Sequence, residues 1–202
     1  MFKLPPNLKN ISLFLEKLPG IGEKTANRLA LYLLRLPDEE LNQLAKSVAQ
    51  LKTKTKLCRI CSNLTENDIC SICEDKDRDK TQLMVVEEVF DVLSFEKGNI
   101  YQGVYHVLHG RIDPLNHIGP GDIKIPQLIN RIKADSNIKE IILATNPDLE
   151  GETTAMYIKE EIKKINPSIK LSRIGYGLPM GAQIEYADYV TLKRSIEGRK
   201  EY

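Results

Sequence analysis

The stretch "KEIILATNPDLEGETTAMYIKEEIKKI", residues 139–165, decides the fold that we expect for this chain. It opens on an apolar run typical of a buried strand and closes on a helical pattern. The turn between them holds three acids, Asp148, Glu150 and Glu152, and an asparagine, Asn146, where one more acid would make a fuller metal site. A strand followed by a helix is the repeating unit of a parallel α/β sheet.

Three more strands and one more helix are expected around this unit. The strand candidates are "QLMVVEEV" at 82–89, "VYHVLHG" at 104–110 and "IKLSRIGYG" at 169–177, and "PQLINRIKAD" at 126–135 has a helical pattern. Strands that alternate with helices predict a mostly parallel sheet covered on both faces, which we place at residues 78–174. Residues 175–202 are expected to form a short helix and a polar end.

Residues 1–55 carry the pattern of three amphipathic helices instead. The spacing predicts that the second helix turns five apolar side chains inward: Ala26, Leu29, Ala30, Leu33 and Leu34. The third helix follows Pro37 and carries its own apolar set at the same spacing: Leu41, Leu44, Ala45, Val48 and Leu51. We therefore expect an α/β chain of several modules, with a small helical module first.

The charge of the chain is unevenly distributed. The net charge of all 202 residues is +1, but residues 1–57 hold ten Lys and Arg against five Asp and Glu, a net of +5. An acidic partner would therefore contact the N-terminal part. No apolar run approaches the ~20 residues that cross a bilayer, and the first residues lack the apolar core of a signal peptide. These features predict a cytoplasmic protein with no membrane partner.

The stretch "LPGIGEKTANRLA", residues 18–30, predicts a DNA-binding hairpin. Gly20 and Gly22 let the backbone approach another chain closely, and the amides that begin the next helix favour an anion. Lys24 and Arg28 are four residues apart, so they share a face of that helix. Together these groups would contact consecutive phosphates without reading bases. The alternative is an ordinary helix turn with solvated cations.

Four cysteines fall within sixteen residues, in the pattern Cys-x2-Cys-x8-Cys-x2-Cys: Cys58, Cys61, Cys70 and Cys73. Two such pairs supply the four thiolates of a closed tetrahedral site, which suits a structural zinc ion. We therefore expect a compact zinc finger at residues 56–77 whose metal contributes to folding. The alternative is four reduced cysteines or redox pairs.

A second cation site is predicted at the carboxyl ends of the strands, where ligands gather in open parallel sheets. Glu87 follows the first strand, and Asp148 and Glu150 follow a later one, so these acids form a candidate site for Mg²⁺ or for a partner protein. Asn146 lowers the charge of the site, so Mg²⁺ would bind weakly or only with DNA present. The alternative is a solvated acidic turn at a helix start.

These motifs resemble known families. "LPGIGEKTANRLA" resembles a helix-hairpin-helix motif, and Glu87 with Asp148 and Glu150 resembles the acids of the Toprim domain, in which Asn146 stands at the place of an aspartate. The order of hairpin, cysteine quartet, Toprim-like core and a C-terminal "GLPMGAQIEYADYVTLKRSIEGR" resembles the RecR family of bacterial recombination mediators over nearly the whole chain. His109 departs from that family, where we expect glycine.

The resemblance implies a role in recombinational DNA repair together with RecO and RecF. Members of the family help load the RecA recombinase onto single-stranded DNA coated by single-strand-binding protein. They form dimers and rings of four subunits that surround DNA, double-stranded or single-stranded, without sequence preference. The resemblance would place Lys24 and Arg28 in the central hole, partners on the Toprim segment, and subunit contacts on the C-terminal segment.

Two other classes of function remain open at this point. One is a Mg²⁺-dependent Toprim enzyme of the topoisomerase or nucleotidyl-transfer class, against which Asn146 and the lack of a further large domain with a catalytic tyrosine argue. The other is an ATPase, although the chain has no Gly-x4-Gly-Lys-Ser/Thr loop. We expect a binding protein without a reaction of its own.

Overall fold

The computed structural model describes residues 4–199 and 201, and close contacts group the chain into two units, residues 1–54 and residues 55–202. The first unit is helical, with α1 at Pro6–Glu16, α2 at Glu23–Leu33 and α3 at Asp38–Lys54. A proline in the first turn of α1 fits there because its missing N–H would have no helical acceptor.

Small residues form the contact between α1 and α2. Ser12, Ala26 and Ala30 are buried, and the Ser12 hydroxyl donates to Asn27 Oδ1 over 2.7 Å. Side chains this small allow two helices to lie close together. The prediction that Leu29 and Leu34 turn inward is therefore wrong, since their exposed fractions are 36% and 69%.

The third helix has no buried side chain along its 17 residues. Its predicted apolar stripe is present but exposed: Leu41, Leu44, Ala45, Val48 and Leu51. The helical period therefore predicts this helix correctly, but it does not predict whether its apolar side chains are buried.

A short finger opens the second unit. Strands β1 at Lys56–Leu57 and β2 at Leu64–Thr65 pair antiparallel, and α4 at Ser71–Glu74 follows. A left-handed residue, Ser62, turns the chain between the two strands.

Four parallel strands form the main sheet, in the order β4-β3-β5-β6, which confirms the predicted α/β class. Their bounds are β3 at Asp79–Val86, β4 at Gly103–Val107, β5 at Glu140–Ala144 and β6 at Lys170–Arg173. The second half of β3 and all of β4 are buried, as expected for strands covered on two faces. Because all four strands run the same way, the residues that follow them meet at one edge.

Four helices accompany the sheet: α5 at Val89–Gly98, α6 at Ile125–Ala134, α7 at Leu149–Ile165 and α8 at Tyr189–Glu197. Helices α6 and α7 pack on one face, through a core that includes Leu128 and Ile158. Val92 of α5 packs on the other face, so both faces are covered as predicted. Helix α5 is an element that the sequence pattern did not predict.

No helix in the described part of the chain has the length and apolar character needed to span a membrane.

Candidate functional site

The four cysteines come together as the spacing predicts. Their sulfurs lie within 4.8 Å of one another, and all four side chains are buried. Cys61 and Cys70 are joined by an S···S contact of 3.5 Å, which raises the pKa of the Cys61 thiol and lowers that of Cys70. In a tetrahedron with Zn–S bonds of about 2.3 Å, neighbouring sulfurs are about 3.8 Å apart. The quartet therefore fits a structural zinc ion, which would neutralise thiolates that otherwise repel.

Backbone hydrogen bonds shape the two cysteine knuckles of the finger. Ser62 N donates to Cys58 O over 2.9 Å and Cys58 N donates to Asn63 O over 2.7 Å, which folds the first knuckle. Cys70 N donates to Cys58 Sγ over 3.3 Å, so the second knuckle contacts the sulfur of the first. Such N–H···S bonds stabilise a thiolate.

The finger is tied to the end of strand β4. Val107 N donates to Cys61 O over 2.8 Å, and His109 Nε2 contacts Ser62 O at 2.6 Å. His109 has φ +55, in the left-handed region that favours glycine. The histidine side chain contacts the finger from this unfavourable backbone conformation. Glycine could not make that contact, which is a structural reason for a histidine at this position.

At the carboxyl edge of the sheet, Glu87 is paired with Asn146. Glu87 is only 3% exposed, and its carboxylate accepts from Asn146 N over 2.9 Å and from Asn146 Nδ2 over 2.7 Å. Burial raises the pKa of Glu87, and these two hydrogen bonds oppose the shift. Glu87 and Asn146 meet because each follows one of two neighbouring strands, β3 and β5. The ends of these strands align, with Val86 opposite Ala144. The asparagine therefore acts as a donor to the acid.

Asp148 is held by two other groups. It caps α7 by accepting from Gly151 N over 2.8 Å, and it forms an ion pair with Arg111. Glu150 is not part of this arrangement. In residues 4–199 and 201, the cysteine quartet is the one group of three or more metal-ligand side chains that converge, so Glu87, Asp148 and Glu150 do not form a metal cluster and a Mg²⁺ ion is not supported.

Arg111 and a second ion-pair cluster were not predicted from the sequence. Glu152 accepts from Arg173 Nη2 over 2.9 Å and from the Tyr176 hydroxyl, while Arg194 of α8 stacks on the Tyr176 ring at 5.4 Å. These contacts fasten the C-terminal segment to the start of α7. The partners of Glu152 lie 21 or more residues away along the chain. They therefore produce no local pattern in the sequence from which the contacts could be predicted.

Gly151 is the point where the acidic edge is most crowded. A Cβ there would lie 2.2 Å from Asn146 O and 2.9 Å from Glu87 Oε1. We expect Gly151→Ala to lower the free energy of unfolding by about 1–3 kcal/mol, because the backbone must shift to admit the methyl group.

Urea unfolding of Gly151→Ala tests this expectation, with Gly121→Ala as the matched control because a Cβ at 121 meets nothing within 4 Å. Equal midpoints for the two variants would show that the edge can relax at no cost.

The predicted DNA-binding residues lie on and before α2. Gly20 has φ +80, which favours glycine, and Gly22 caps the helix. A Cβ at either position would meet nothing within 4 Å, so the hairpin backbone is open to another molecule. Lys24 and Arg28 are both exposed on α2, next to amides that lack helical acceptors.

Comparisons with known proteins cover most of the chain. Family models match residues 14–52 (the helix-hairpin-helix of RecR), 55–75 (the four-cysteine zinc finger domain of RecR), 81–175 (the Toprim domain) and 177–200 (the C-terminal part of RecR). The "Recombination protein RecR" of Staphylococcus haemolyticus (strain JCSC1435) is 51% identical over 185 residues, covering 92% of this chain and 92% of that protein. The chain belongs to the RecR family. The "Recombination protein RecR" of Staphylococcus aureus (strain JH9) has the same identity and coverage.

Membership in the RecR family supports a role in DNA recombination and repair. It also confirms the predicted modules of hairpin, four-cysteine finger, Toprim domain and C-terminal segment as family features. The RecR-family finger and the converging buried cysteines agree on structural zinc as the metal.

Proposed function

We propose that this chain is a non-catalytic DNA-binding mediator of recombination. The observation that carries the proposal is the start of α2, where Lys24 and Arg28 are exposed directly after the open hairpin of Gly20 and Gly22. Residues 24–37 contain no acid, and the one acid of α2, Glu23, stands at its first position. Helix-start amides plus two cations contact phosphates and read no bases, which predicts binding to double-stranded and single-stranded DNA without sequence preference.

We further propose that Cys58, Cys61, Cys70 and Cys73 bind one zinc ion. Their four thiolates would complete the coordination shell, so the metal would stabilise the finger and leave no position for a substrate. Since Cys61 O accepts from Val107 N, a rigid finger would also fix the end of strand β4.

The division of the chain into domains that we propose is a helix-hairpin-helix module at 1–55, the finger at 56–77, a Toprim-like domain at 78–174 and an oligomerisation segment at 175–202.

The proposed partners are other copies of the chain, RecO and RecF. Exposed apolar side chains on α3, which has no buried residue, support contact with further subunits, and a dimer or a ring of four would bring several cationic hairpins to one DNA. In this assembly the chain would help load RecA onto gapped or single-stranded DNA in the cytoplasm. Of the predicted acidic site of Glu87, Asp148 and Glu150, the last two are partly exposed and would then serve as a partner surface, whereas Glu87 is buried.

The contacts of the acidic edge argue against catalysis. Phosphoryl-transfer enzymes of the Toprim type need carboxylates free to hold Mg²⁺, whereas Asp148 is paired with Arg111 and Glu87 with Asn146. Both acids are therefore already engaged by groups of the protein itself.

One gel tests binding against catalysis. The protein is incubated with supercoiled plasmid and with gapped linear DNA, with and without Mg²⁺, and each sample is run native and deproteinised. We expect retarded bands that return to unchanged DNA after deproteinisation. Relaxed, nicked or shortened DNA that appears only with Mg²⁺ would replace this proposal with an enzyme.

A further inference from the structure

An exposed aromatic side chain lies beside the proposed phosphate-binding cations. Tyr32 is 62% exposed on α2. Lys24, Arg28 and Tyr32 follow at intervals of four, so they lie along one face, and Arg35 comes one turn later. That face points away from Ala26 and Ala30, the buried residues of the helix.

The surroundings of Tyr32 form an open groove of about 550 Å³. Its lining residues are Thr25, Arg28, Leu29, Leu31, Tyr32 and Arg35. Two arginines therefore flank one aromatic ring, with apolar side chains beside it and no acid in residues 24–37. The charge of the groove is complementary to a polyanion that also carries flat apolar groups.

Single-stranded nucleic acid has this chemistry. Its phosphates suit the arginines, and its unpaired bases can stack on an exposed ring, whereas the bases of a duplex are already stacked on each other. We propose that Tyr32 stacks an unpaired base of single-stranded DNA while Arg28 and Arg35 hold the adjoining phosphates. This inference rests on the proposed function and adds to it, because phosphate contacts alone do not distinguish single strands from duplex.

Anisotropy titrations of the full chain test the inference, with a labelled oligo-dT and a duplex of equal length at low salt. We expect Tyr32→Ala to weaken binding to oligo-dT at least about 5-fold and to change duplex binding less than about 2-fold, since each stacked base contributes substantially. Tyr32→Phe is the matched control and should keep both affinities, because the ring remains.

A second variant gives a readout that does not depend on stability. The chain has no tryptophan, so Tyr32→Trp carries a single indole reporter in the groove. We expect oligo-dT to quench its emission strongly and the duplex to quench it little. If oligo-dT leaves the indole emission unchanged, the inference is overturned. It is also overturned if the emission changes only when the protein is diluted, because that result would show that a second copy of the chain covers this face.

The outcomes also separate the inference from the proposed function. Wild-type protein that binds neither DNA form contradicts the proposed function. Wild-type protein that binds both forms, with Lys24→Ala/Arg28→Ala losing both and Tyr32→Ala losing neither, overturns only the role of Tyr32.

Discussion

Replacement of Cys61 by serine is expected to remove the zinc ion and to unfold the finger. Zinc content should fall from about one ion per chain to nearly none, because three thiolates bind far more weakly than a closed set of four. Structural zinc supplies much of the folding free energy of small fingers, so the midpoint of thermal unfolding should drop by roughly 10 °C or more. Atomic absorption and a melting curve with and without chelator measure both effects.

The effect should extend beyond the finger. Cys61 O accepts from Val107 N and Ser62 O contacts His109, so amides at the end of strand β4 should exchange faster when the metal is lost. Ser71→Ala is a control in the same finger, since Ser71 is exposed and offers no thiol. A metal-free chain with an unchanged melting curve would contradict a structural zinc ion.

Replacement of Lys24 and Arg28 by alanine together is expected to abolish DNA binding and leave the fold intact. Each lost phosphate contact removes the release of a condensed counterion. Affinity at low salt should fall at least about 100-fold, and the salt dependence should flatten by about two contacts for each engaged subunit. Filter binding over a series of salt concentrations measures both quantities.

The matched control removes equal charge from a neighbouring helix of the same unit. Lys46→Ala with Lys52→Ala changes two exposed lysines of α3 and should weaken binding only modestly. Equal losses for the two double variants would mean that total charge, and not the hairpin, attracts the DNA. Circular dichroism of both variants checks that the helices remain.

Local spacing explains which parts of the fold were predictable. Residues 139–165 show a strand and then a helix because their apolar residues change period within the stretch. Helix α5 has no such signature, since Phe90 and Leu93 are exposed while Val92 is buried, and its outer face is therefore not polar. Periodicity places the leucines of α2 and α3 on one face of each helix, but it does not show whether another element covers that face.

The candidate sites also differ in whether local spacing in the sequence determines them. The cysteine quartet is set by local spacing and could be predicted from the sequence. The pairing of Arg111 with Asp148 joins residues 37 apart, and that of Glu87 with Asn146 joins residues 59 apart. Only the alignment of β3 with β5 brings the second pair together, so the engagement of these acids could not be foreseen from residue types.

The crowding at Gly151 also limits how this sequence can change by mutation. Any side chain at 151 would meet both Asn146 and Glu87, so a substitution there is tolerated only if its neighbours shift as well. In a library of random variants selected for folding, position 151 should stay glycine while position 121 varies freely. Because the nearest atom is the backbone oxygen of residue 146, which every amino acid carries, a substitution at 146 would not relieve this crowding and glycine at 151 is needed whatever residue stands there.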